Sequence, residues 1–269
     1  MAETKFKIGE IEIGSGKPFI IAGPCVVESK EIAFATAEKL KIISQKLDIP
    51  FIYKSSYIKA NRQSGKSFAT IGVDKALKIL ADVKSQFNVP ILTDIHKPDE
   101  ADMAAEVADC LQIPAFLCRQ TELVLAAAKT GLPLNIKKGQ FMAPEDMSEI
   151  AQKAVSEGNN KVILTERGTT FGYHDLIVDF RSLVIMKKTG FPVIFDCTHS
   201  VQKPGAKGGS SGGSPEFILP LAKAAVAVGV DGLFIETHPD PQKAKSDKNC
   251  QLKLDLLEDM IRQVLKVWK

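Results

Sequence analysis

Charged and nucleophilic side chains follow the short apolar runs of this sequence at the point where each run ends. They are Cys25, Lys54, Asp94, His96, Arg119, Lys137, Lys138, Arg167, Asp196, His199, Glu236 and His238. Lysine and arginine bind phosphate and carboxylate groups, so their recurrence at one structural position indicates an anionic ligand. For any single cation, an ordinary ion pair with Asp94, Asp196, Glu166 or Glu236 is the alternative.

A metal site is a second chemistry that these residue types allow. Cys25, His199, Glu236 and a fourth acid such as Asp247 offer the sulfur, nitrogen and oxygen ligands that Zn²⁺ or Fe²⁺ accepts. From the residues alone, a small buried apolar role for Cys25 is the simpler interpretation. The glycine-rich segment 208–213 could hold a phosphate through its backbone N–H groups, or it could be a solvent-exposed loop.

Eight apolar runs, most of them followed by a stretch of helical period, organise the chain. Runs of this length without strict alternation are typical of parallel strands buried on both faces. Eight strand–helix units predict a closed (β/α)8 TIM barrel, whose C-terminal face would gather the strand-end residues. The runs begin at Pro18, Pro50, Pro90, Cys110, Pro133, Val162, Pro192 and Gly232.

No linker divides these units, so we expect one domain over residues 1–269. The alternating segment from Lys5 predicts a short N-terminal β-hairpin that closes the bottom of the barrel. The glycine-rich stretch from Gly205 falls inside the seventh unit and predicts a mobile loop on the barrel rim.

Charge, cysteine content and hydropathy indicate which partners and which cellular compartment to expect. The formal charge of +3 on 269 residues is too small to indicate nucleic acid as a partner. Five cysteines without a C-x-x-C spacing predict reduced thiols in a cytosolic protein. No apolar signal core and no run of membrane-spanning length occurs, so we expect a soluble, cytoplasmic protein without a membrane partner.

Several strings together resemble the 3-deoxy-D-manno-octulosonate 8-phosphate (KDO8P) synthase family over nearly the whole chain. They are IAGPCVVES, FIYKSSYIKANR, PILTDIH, LQIPAFLCRQT, LNIKKGQF, ILTERGTTFGY, VIFDCTHSVQ and IETHPDPQKAKSD. The related 3-deoxy-D-arabino-heptulosonate 7-phosphate (DAHP) synthases, which use erythrose 4-phosphate, are the nearest alternative. They usually carry KPR where this chain reads KANR. A Schiff-base aldolase using Lys54 or Lys137, or a non-catalytic phosphosugar-binding barrel, would be a functionally different outcome.

The resemblance implies condensation of phosphoenolpyruvate (PEP) with D-arabinose 5-phosphate and water, for lipopolysaccharide synthesis, by a homotetramer. It implies substrate-binding roles for Lys54, Lys59, Asn61, Arg62, Arg119, Lys137, Arg167 and Ser211. A cysteine in the GPC string implies the metal-dependent class, with a divalent Zn, Fe or Mn ion held by Cys25, His199, Glu236 and Asp247. The residues that we expect to act in catalysis are Lys59, Asp94, His96, Cys25 and His199.

The chain departs from the family pattern in one region. The residue after KANR is Gln63 instead of serine, and the loop around Ala69 lacks the arginine that usually reaches a neighbouring subunit's sugar phosphate. We therefore expect the PEP half of the site to be complete and the sugar-phosphate half to have fewer ligands.

Overall fold

Eight parallel strands close into a barrel surrounded by helices. The computed structural model describes residues 4–62, 65, 67–170, 173–207 and 210–268. The strands are β1 Phe6–Ile8, β2 Ile11–Ile13, β3 Phe19–Gly23, β4 Phe51–Lys54, β5 Ile91–Asp94, β6 Cys110–Ile113, β7 Leu134–Lys137, β8 Val162–Glu166, β9 Thr169–Thr170, β10 Leu176–Ile177, β11 Val193–Asp196, β12 Gln202–Lys207, β13 Ser210–Gly213, β14 Gly232–His238 and β15 Leu252–Lys253. The helices are α1 Lys30–Leu47, α2 Val73–Phe87, α3 Ala101–Ala105, α4 Thr121–Lys129, α5 Met147–Ser156, α6 Arg181–Lys187, α7 Ile218–Val228 and α8 Leu254–Leu265.

The barrel strands follow the order β3-β4-β5-β6-β7-β8-β11-β14, and β14 pairs in parallel with β3 to close the ring. Each of the eight apolar runs of the sequence contains one of these strands, and every strand residue is buried. The predicted (β/α)8 barrel is confirmed. All barrel strands therefore end on one face.

The N-terminal hairpin plugs the opposite face. β1 and β2 pair antiparallel with Phe6 opposite Ile13. Ile8, Ile11 and Ile13 are buried in an apolar cluster with residues from inside the barrel. Those residues are Phe19, Ile21, Ile52, Leu92, Cys110, Ile163, Ile194 and Phe234. The predicted hairpin and its position are confirmed, and the cluster makes the lower half of the barrel a packed core.

The helices bury one face each against the strands. In α1 the buried residues Ala33, Ala37, Leu40 and Ile43 recur every three or four positions, which is the period of one helix face. Ser29 caps the helix by accepting a hydrogen bond from the Ile32 N–H at 3.3 Å. Among the described residues, the helices are all too short or too polar to cross a membrane.

The glycine-rich segment differs from its prediction. It lies within the seventh unit as expected, but β12 and β13 form an antiparallel hairpin with a register shift between Lys203 and Lys207. Backbone hydrogen bonds alone define such a ladder, so a segment with few apolar side chains leaves no periodic signal for it. The phosphate-cradle hypothesis depends on Gly208 and Gly209, which lie outside the described residues.

Candidate active site

A cavity opens where the barrel strands end, at the face opposite the hairpin. Nine of the residues singled out from the sequence line it: Lys54, Lys59, Asn61, Asp94, His96, Lys137, Arg167, His199 and Glu236. They come from β4, β5, β7, β8, β11, β14 and the segments that follow them. The expectation that cations far apart in sequence meet at one opening holds for this set.

The end of β3 brings Cys25 to the edge of this cavity. The carbonyl of Lys54 comes so close to Gly23 that a Cβ on Gly23 would lie 2.0 Å from the oxygen, which only glycine avoids. Two side chains hold the Cys25 backbone: its N–H donates to Gln251 Oε1 at 3.2 Å, and its carbonyl accepts from Lys54 Nζ at 3.0 Å. The thiol is buried, with 1% of the residue exposed.

The four predicted metal ligands lie together. Ligand atoms of Cys25, Glu236 and Asp247 are all within 4.8 Å of one another. The Cys25 Sγ lies 3.1 Å from Asp247 Oδ2. His199 Nε2 faces the same group, 3.5 Å from Glu236 Oε2 and 3.9 Å from Asp247 Oδ2. These residues are up to 222 positions apart in the chain, and the fold alone brings them together.

The donor set fits a divalent ion. Burial, together with the negative charges of Glu236 and Asp247, raises the pKa of the Cys25 thiol well above its usual range. Glu236 Oε2 is buried and has no hydrogen-bond partner within the described part of the chain. One thiol, one imidazole and two carboxylates are ligands that Zn²⁺, Fe²⁺ and Mn²⁺ accept in proteins. A bound cation would supply the partner that these buried acidic groups require.

Neighbouring residues orient two of these ligands. His199 Nδ1 lies 2.8 Å from Asp196 Oδ2, which leaves Nε2 as the nitrogen that faces the other ligands. Gln202 Nε2 donates to Asp247 Oδ1 at 2.9 Å. Asp247 itself has a left-handed backbone with φ of 47°, a conformation that is uncommon outside glycine. Such supporting contacts are typical of metal ligands.

Each cavity lysine has an acidic partner. Lys54 Nζ lies 2.8 Å from Glu236 Oε1, and Lys137 Nζ lies 2.6 Å from Asp196 Oδ2. Lys59 forms an ion pair with Asp247. Lys54 and Lys137 thus form ion pairs of the kind that the sequence left open as the alternative to an anionic ligand. Lys138 is fully buried elsewhere, with its ammonium donating to Thr169 Oγ1 at 3.0 Å.

Arg167 differs from the lysines, because one nitrogen of its guanidinium has no hydrogen-bond partner among the described residues. Nη2 donates to Gln202 Oε1 at 3.1 Å, whereas Nη1 is buried without a hydrogen-bond partner in the described residues. Burial lowers the pKa of Arg167. Glu166 fixes the turn, since its Oε1 accepts from the backbone N–H groups of Arg167 and Gly168 at 3.1 and 2.7 Å. Arg167 lines the cavity, and a buried guanidinium nitrogen without a partner is suited to an anionic ligand.

Asp94 is held as a carboxylate. Burial alone would raise its pKa, but the charges of Lys54 and His96 and a hydrogen bond from Ser56 lower the pKa below its usual range. His96 is oriented by Glu100, whose Oε2 accepts from the His96 backbone N–H at 2.7 Å and lies 3.2 Å from Nδ1. Both residues line the cavity as predicted.

A buried polar network below Asp94 was missed from the sequence. Gln112 Nε2 donates to Asp94, Asn135 Nδ2 donates to Gln112 Oε1 at 2.7 Å, and Thr165 Oγ1 donates to Asn135 Oδ1 at 2.5 Å. The network crosses strands β5 to β8 and places Gln112 in the cavity wall. A polar residue inside each of the strands β6, β7 and β8 was the available signal.

Three predicted substrate ligands lie elsewhere or are undescribed. Arg62 and Arg119 are exposed, and neither is among the residues that line the cavity. The side chain of Ser211, like Gln63, lies outside the described residues. The roles of these residues stay predictions.

The chain is similar to known proteins over nearly its full length. Residues 2–268 match the model of the DAHP synthetase I family. The 2-dehydro-3-deoxyphosphooctonate aldolase of Bordetella petrii is 54% identical over 264 residues, which cover 95% of this chain and 93% of that protein. The enzymes of the same name from Francisella tularensis subsp. holarctica and Paraburkholderia xenovorans are 57% and 52% identical over 242 and 266 residues. These matches cover 90% and 96% of this chain, and 88% and 94% of the two relatives.

The chain is more than 50% identical to these relatives over nearly its whole length. Its barrel also brings residues of the family strings together at the strand ends. The chain therefore belongs to the DAHP synthetase I family, among its 2-dehydro-3-deoxyphosphooctonate aldolases.

Proposed function

We propose that this chain condenses PEP with D-arabinose 5-phosphate and water to give KDO8P and phosphate. The observation that carries the proposal is the 52–57% identity to relatives named 2-dehydro-3-deoxyphosphooctonate aldolase, another name for KDO8P synthase. The same relatives favour arabinose 5-phosphate over the erythrose 4-phosphate of DAHP synthase. The reaction feeds KDO and lipopolysaccharide synthesis.

The cavity supports PEP as the first substrate. PEP carries a phosphate and a carboxylate, and the free Nη1 of Arg167 is a donor for one of these anions. Lys54 and Lys137 line the same cavity and add two further ammonium groups. Because the donors stand on barrel strands, they would stabilise the anion with little reorganisation.

The condensation then needs alignment and proton transfer. Carbon C3 of PEP bonds to C1 of the aldose, and the aldehyde oxygen takes up a proton. Water adds its hydroxyl group at C2, and its other proton balances the one taken up by the aldehyde oxygen. The C–O bond to phosphate then breaks, and the C2 hydroxyl becomes a ketone as its proton leaves with the phosphate. Holding both substrates against one rim converts the encounter into a near-attack arrangement. Asp94 and His96 line the wall and are our candidates for holding or moving a proton.

We assign the chain to the metal-dependent class, with Cys25, His199, Glu236 and Asp247 as the ligands. The convergence of their ligand atoms supports this assignment. A divalent Zn, Fe or Mn ion at these residues would supply a Lewis acid for the aldehyde or for water. Asp196 Oδ2 lies beside His199 Nδ1, which leaves Nε2 for the metal, and Gln202 Nε2 donates to Asp247 Oδ1, which leaves Oδ2 for it.

Asn61 supports binding of arabinose 5-phosphate, since it lies in the cavity wall beside Ala60. Arg62, Arg119 and Ser211 are assigned here by resemblance alone. We extend the proposal to a homotetramer, which is supported by Phe116, Phe141 and Tyr173. These side chains are more than half exposed and follow β6, β7 and β9. A cytoplasmic location is supported by the five cysteines, all of which are buried free thiols.

The test is phosphate release from PEP with each of two aldose phosphates. We expect rapid release with arabinose 5-phosphate, at least about a hundredfold slower release with erythrose 4-phosphate, and loss of turnover after EDTA treatment. The product is identified as KDO8P by NMR. Preference for erythrose 4-phosphate would make the chain a DAHP synthase. Binding without phosphate release would favour a binding protein, and borohydride trapping of a substrate adduct a Schiff-base aldolase.

A further inference from the structure

Lys59 contacts two of the four proposed metal ligands. Its ammonium donates to Cys25 Sγ at 3.1 Å and forms a shorter ion pair with Asp247 Oδ2. Cys25 Sγ and Asp247 Oδ2 are themselves 3.1 Å apart. The ammonium is thus a third corner of a compact triangle whose other corners are candidate ligand atoms.

A divalent ion at these two atoms would compete with the Lys59 ammonium for them. An ion bonded to both atoms at about 2.0–2.3 Å would lie within about 4 Å of the Lys59 nitrogen. Two cations at that separation repel each other, and a buried site weakens this repulsion less than water does. Cys25 Sγ and Asp247 Oδ2, which accept from the ammonium, are also the atoms that would bind the metal ion.

The cavity offers space for a second position of the Lys59 side chain. Its side chain lines the substrate cavity and is 14% exposed. Its backbone is anchored separately, since the Lys59 N–H donates to the Ala69 carbonyl at 2.8 Å. The side chain can therefore swing from the ligand set toward the cavity without unfolding the segment that carries it.

We propose that Lys59 and a divalent ion are alternative cations at Cys25 and Asp247, so that metal entry displaces the Lys59 ammonium into the substrate cavity. The inference rests on the metal-dependent reaction proposed above and deepens it. Lys59 acts here as a positioning residue: it holds the two ligands together, and metal binding makes its charge available to the anionic substrates.

Displacement has a consequence for the charge of the cavity. With Lys59 bonded to Asp247 and Lys54 bonded to Glu236, two cavity cations are matched by two acids. A divalent ion on the same carboxylates would match those acids instead, and the ammonium groups would then face PEP and the sugar phosphate. Metal loading thus converts a charge-balanced cavity into a cationic one.

The first test measures displacement in the wild-type protein. EDTA-treated and zinc-loaded samples are labelled briefly with acetic anhydride, and the labelling of Lys59 is quantified by mass spectrometry against Lys84, which pairs with Asp109 far from the site. We expect zinc to raise the labelling rate of Lys59 at least about fivefold and to leave that of Lys84 unchanged. Unchanged Lys59 labelling at full zinc occupancy would overturn the inference while leaving the metal site intact.

The second test measures competition. Zinc affinity is determined with a chromophoric chelator for Lys59→Met and for the matched variant Lys137→Met. The second variant removes the same charge from the same cavity, but Lys137 pairs with Asp196 and with none of the proposed metal ligands. We expect Lys59→Met to bind zinc roughly tenfold more tightly than wild type, with a change under about threefold for Lys137→Met. Equal effects of the two variants, or weaker binding by Lys59→Met, would contradict the proposal.

Zinc stoichiometry separates the possible failures. If wild type binds no zinc, both this inference and the metal-dependent assignment fall, whereas the condensation activity is judged by phosphate release alone. If wild type binds one zinc and the two tests above fail, only the role of Lys59 is wrong. Circular dichroism of each variant confirms that the affinities refer to folded protein.

Discussion

The ammonium of Lys137 lies 3.6 Å from the centroid of the Phe234 ring, while its hydrogen bond goes to Asp196. The same ring belongs to the apolar cluster that the N-terminal hairpin closes. Phe234 is therefore the boundary between the packed lower half of the barrel and the polar cavity above it. Burial lowers the pKa of Lys137 despite the nearby carboxylate of Asp196, and the ring face helps to hold the ammonium where it is.

Replacing the Phe234 ring tests how much this boundary contributes to the stability of the barrel. We expect Phe234→Leu to lower the free energy of unfolding by about 1–3 kcal/mol, because it leaves space in the core and removes the cation–π contact. Urea denaturation measures the change. Phe217→Leu is the control, since that ring is 53% exposed and should cost little. An unchanged midpoint for Phe234→Leu would show that the neighbouring side chains refill the space.

Arg167 is the side chain whose loss should act most directly on PEP. We expect Arg167→Ala to raise the KM for PEP by roughly 10–100-fold, because a hydrogen bond to a charged group contributes about 1.5–3 kcal/mol. Steady-state kinetics with arabinose 5-phosphate held at saturation measure it. Arg181→Ala removes an exposed arginine that pairs with Asp179 and should leave the KM unchanged. A wild-type KM for Arg167→Ala would remove Arg167 from the substrate site.

We expect the protein to need Cys25 to retain its divalent metal ion. We expect Cys25→Ala to lose most of its bound divalent metal after dialysis, with loss of turnover that added Zn²⁺, Fe²⁺ or Mn²⁺ does not restore. Elemental analysis gives the metal content. Cys118→Ala removes another buried thiol that lies in the helix–strand core, and should keep wild-type metal content. If metal-free Cys25→Ala turned over at the wild-type rate, the metal-dependent assignment would be wrong.

Much of this fold could be predicted because the barrel strands are buried on both faces. Strand β14, for example, reads GLFIETH and is buried at every position, so its apolar start and charged end mark both the strand and its direction. Because the C-terminal ends of all barrel strands share one face, the sequence also predicts that Lys54, Lys137 and Arg167 meet at one opening. Lys59 was available as a further cation of the loop after β4, whereas Asn61 was added by the resemblance alone.

What could not be predicted depends on contacts between distant segments. Nothing in the sequence indicates that the Lys59 ammonium touches Cys25 and Asp247, because the pairs are 34 and 188 residues apart. The network of Gln112, Asn135 and Thr165 was missed because each is a polar residue inside a strand, and not one of the charged residues at the strand ends. These contacts depend on the register of neighbouring strands, which apolar runs without alternation leave unspecified.

Glu100 carries the remaining prediction, which concerns acid stability. Its Oε2 accepts hydrogen bonds from Tyr57 at 2.6 Å and from the His96 backbone at 2.7 Å. Partial burial opposes ionisation, but these bonds and the neighbouring His96 lower the pKa of Glu100 to about 2, below the 4.5 that is usual for glutamate. A carboxylate whose pKa is lower in the folded protein stabilises it above the unfolded value, and that contribution disappears as the pH falls from about 4.5 to about 2.

We therefore expect Glu100→Gln to be less stable than wild type by about 1–2 kcal/mol at pH 7, a figure reduced from the full shift because the group is partly solvated. The difference should shrink by roughly half when unfolding is measured at pH 3, because wild type loses the contribution and the glutamine variant has none to lose. Chemical denaturation at pH 7, 5, 4 and 3 gives the curve for each protein. Glu38→Gln, an exposed carboxylate on α1, should differ from wild type by under about 0.5 kcal/mol throughout. A gap for Glu100→Gln that stayed constant down to pH 3 would mean that the carboxylate acts by shape and not by charge.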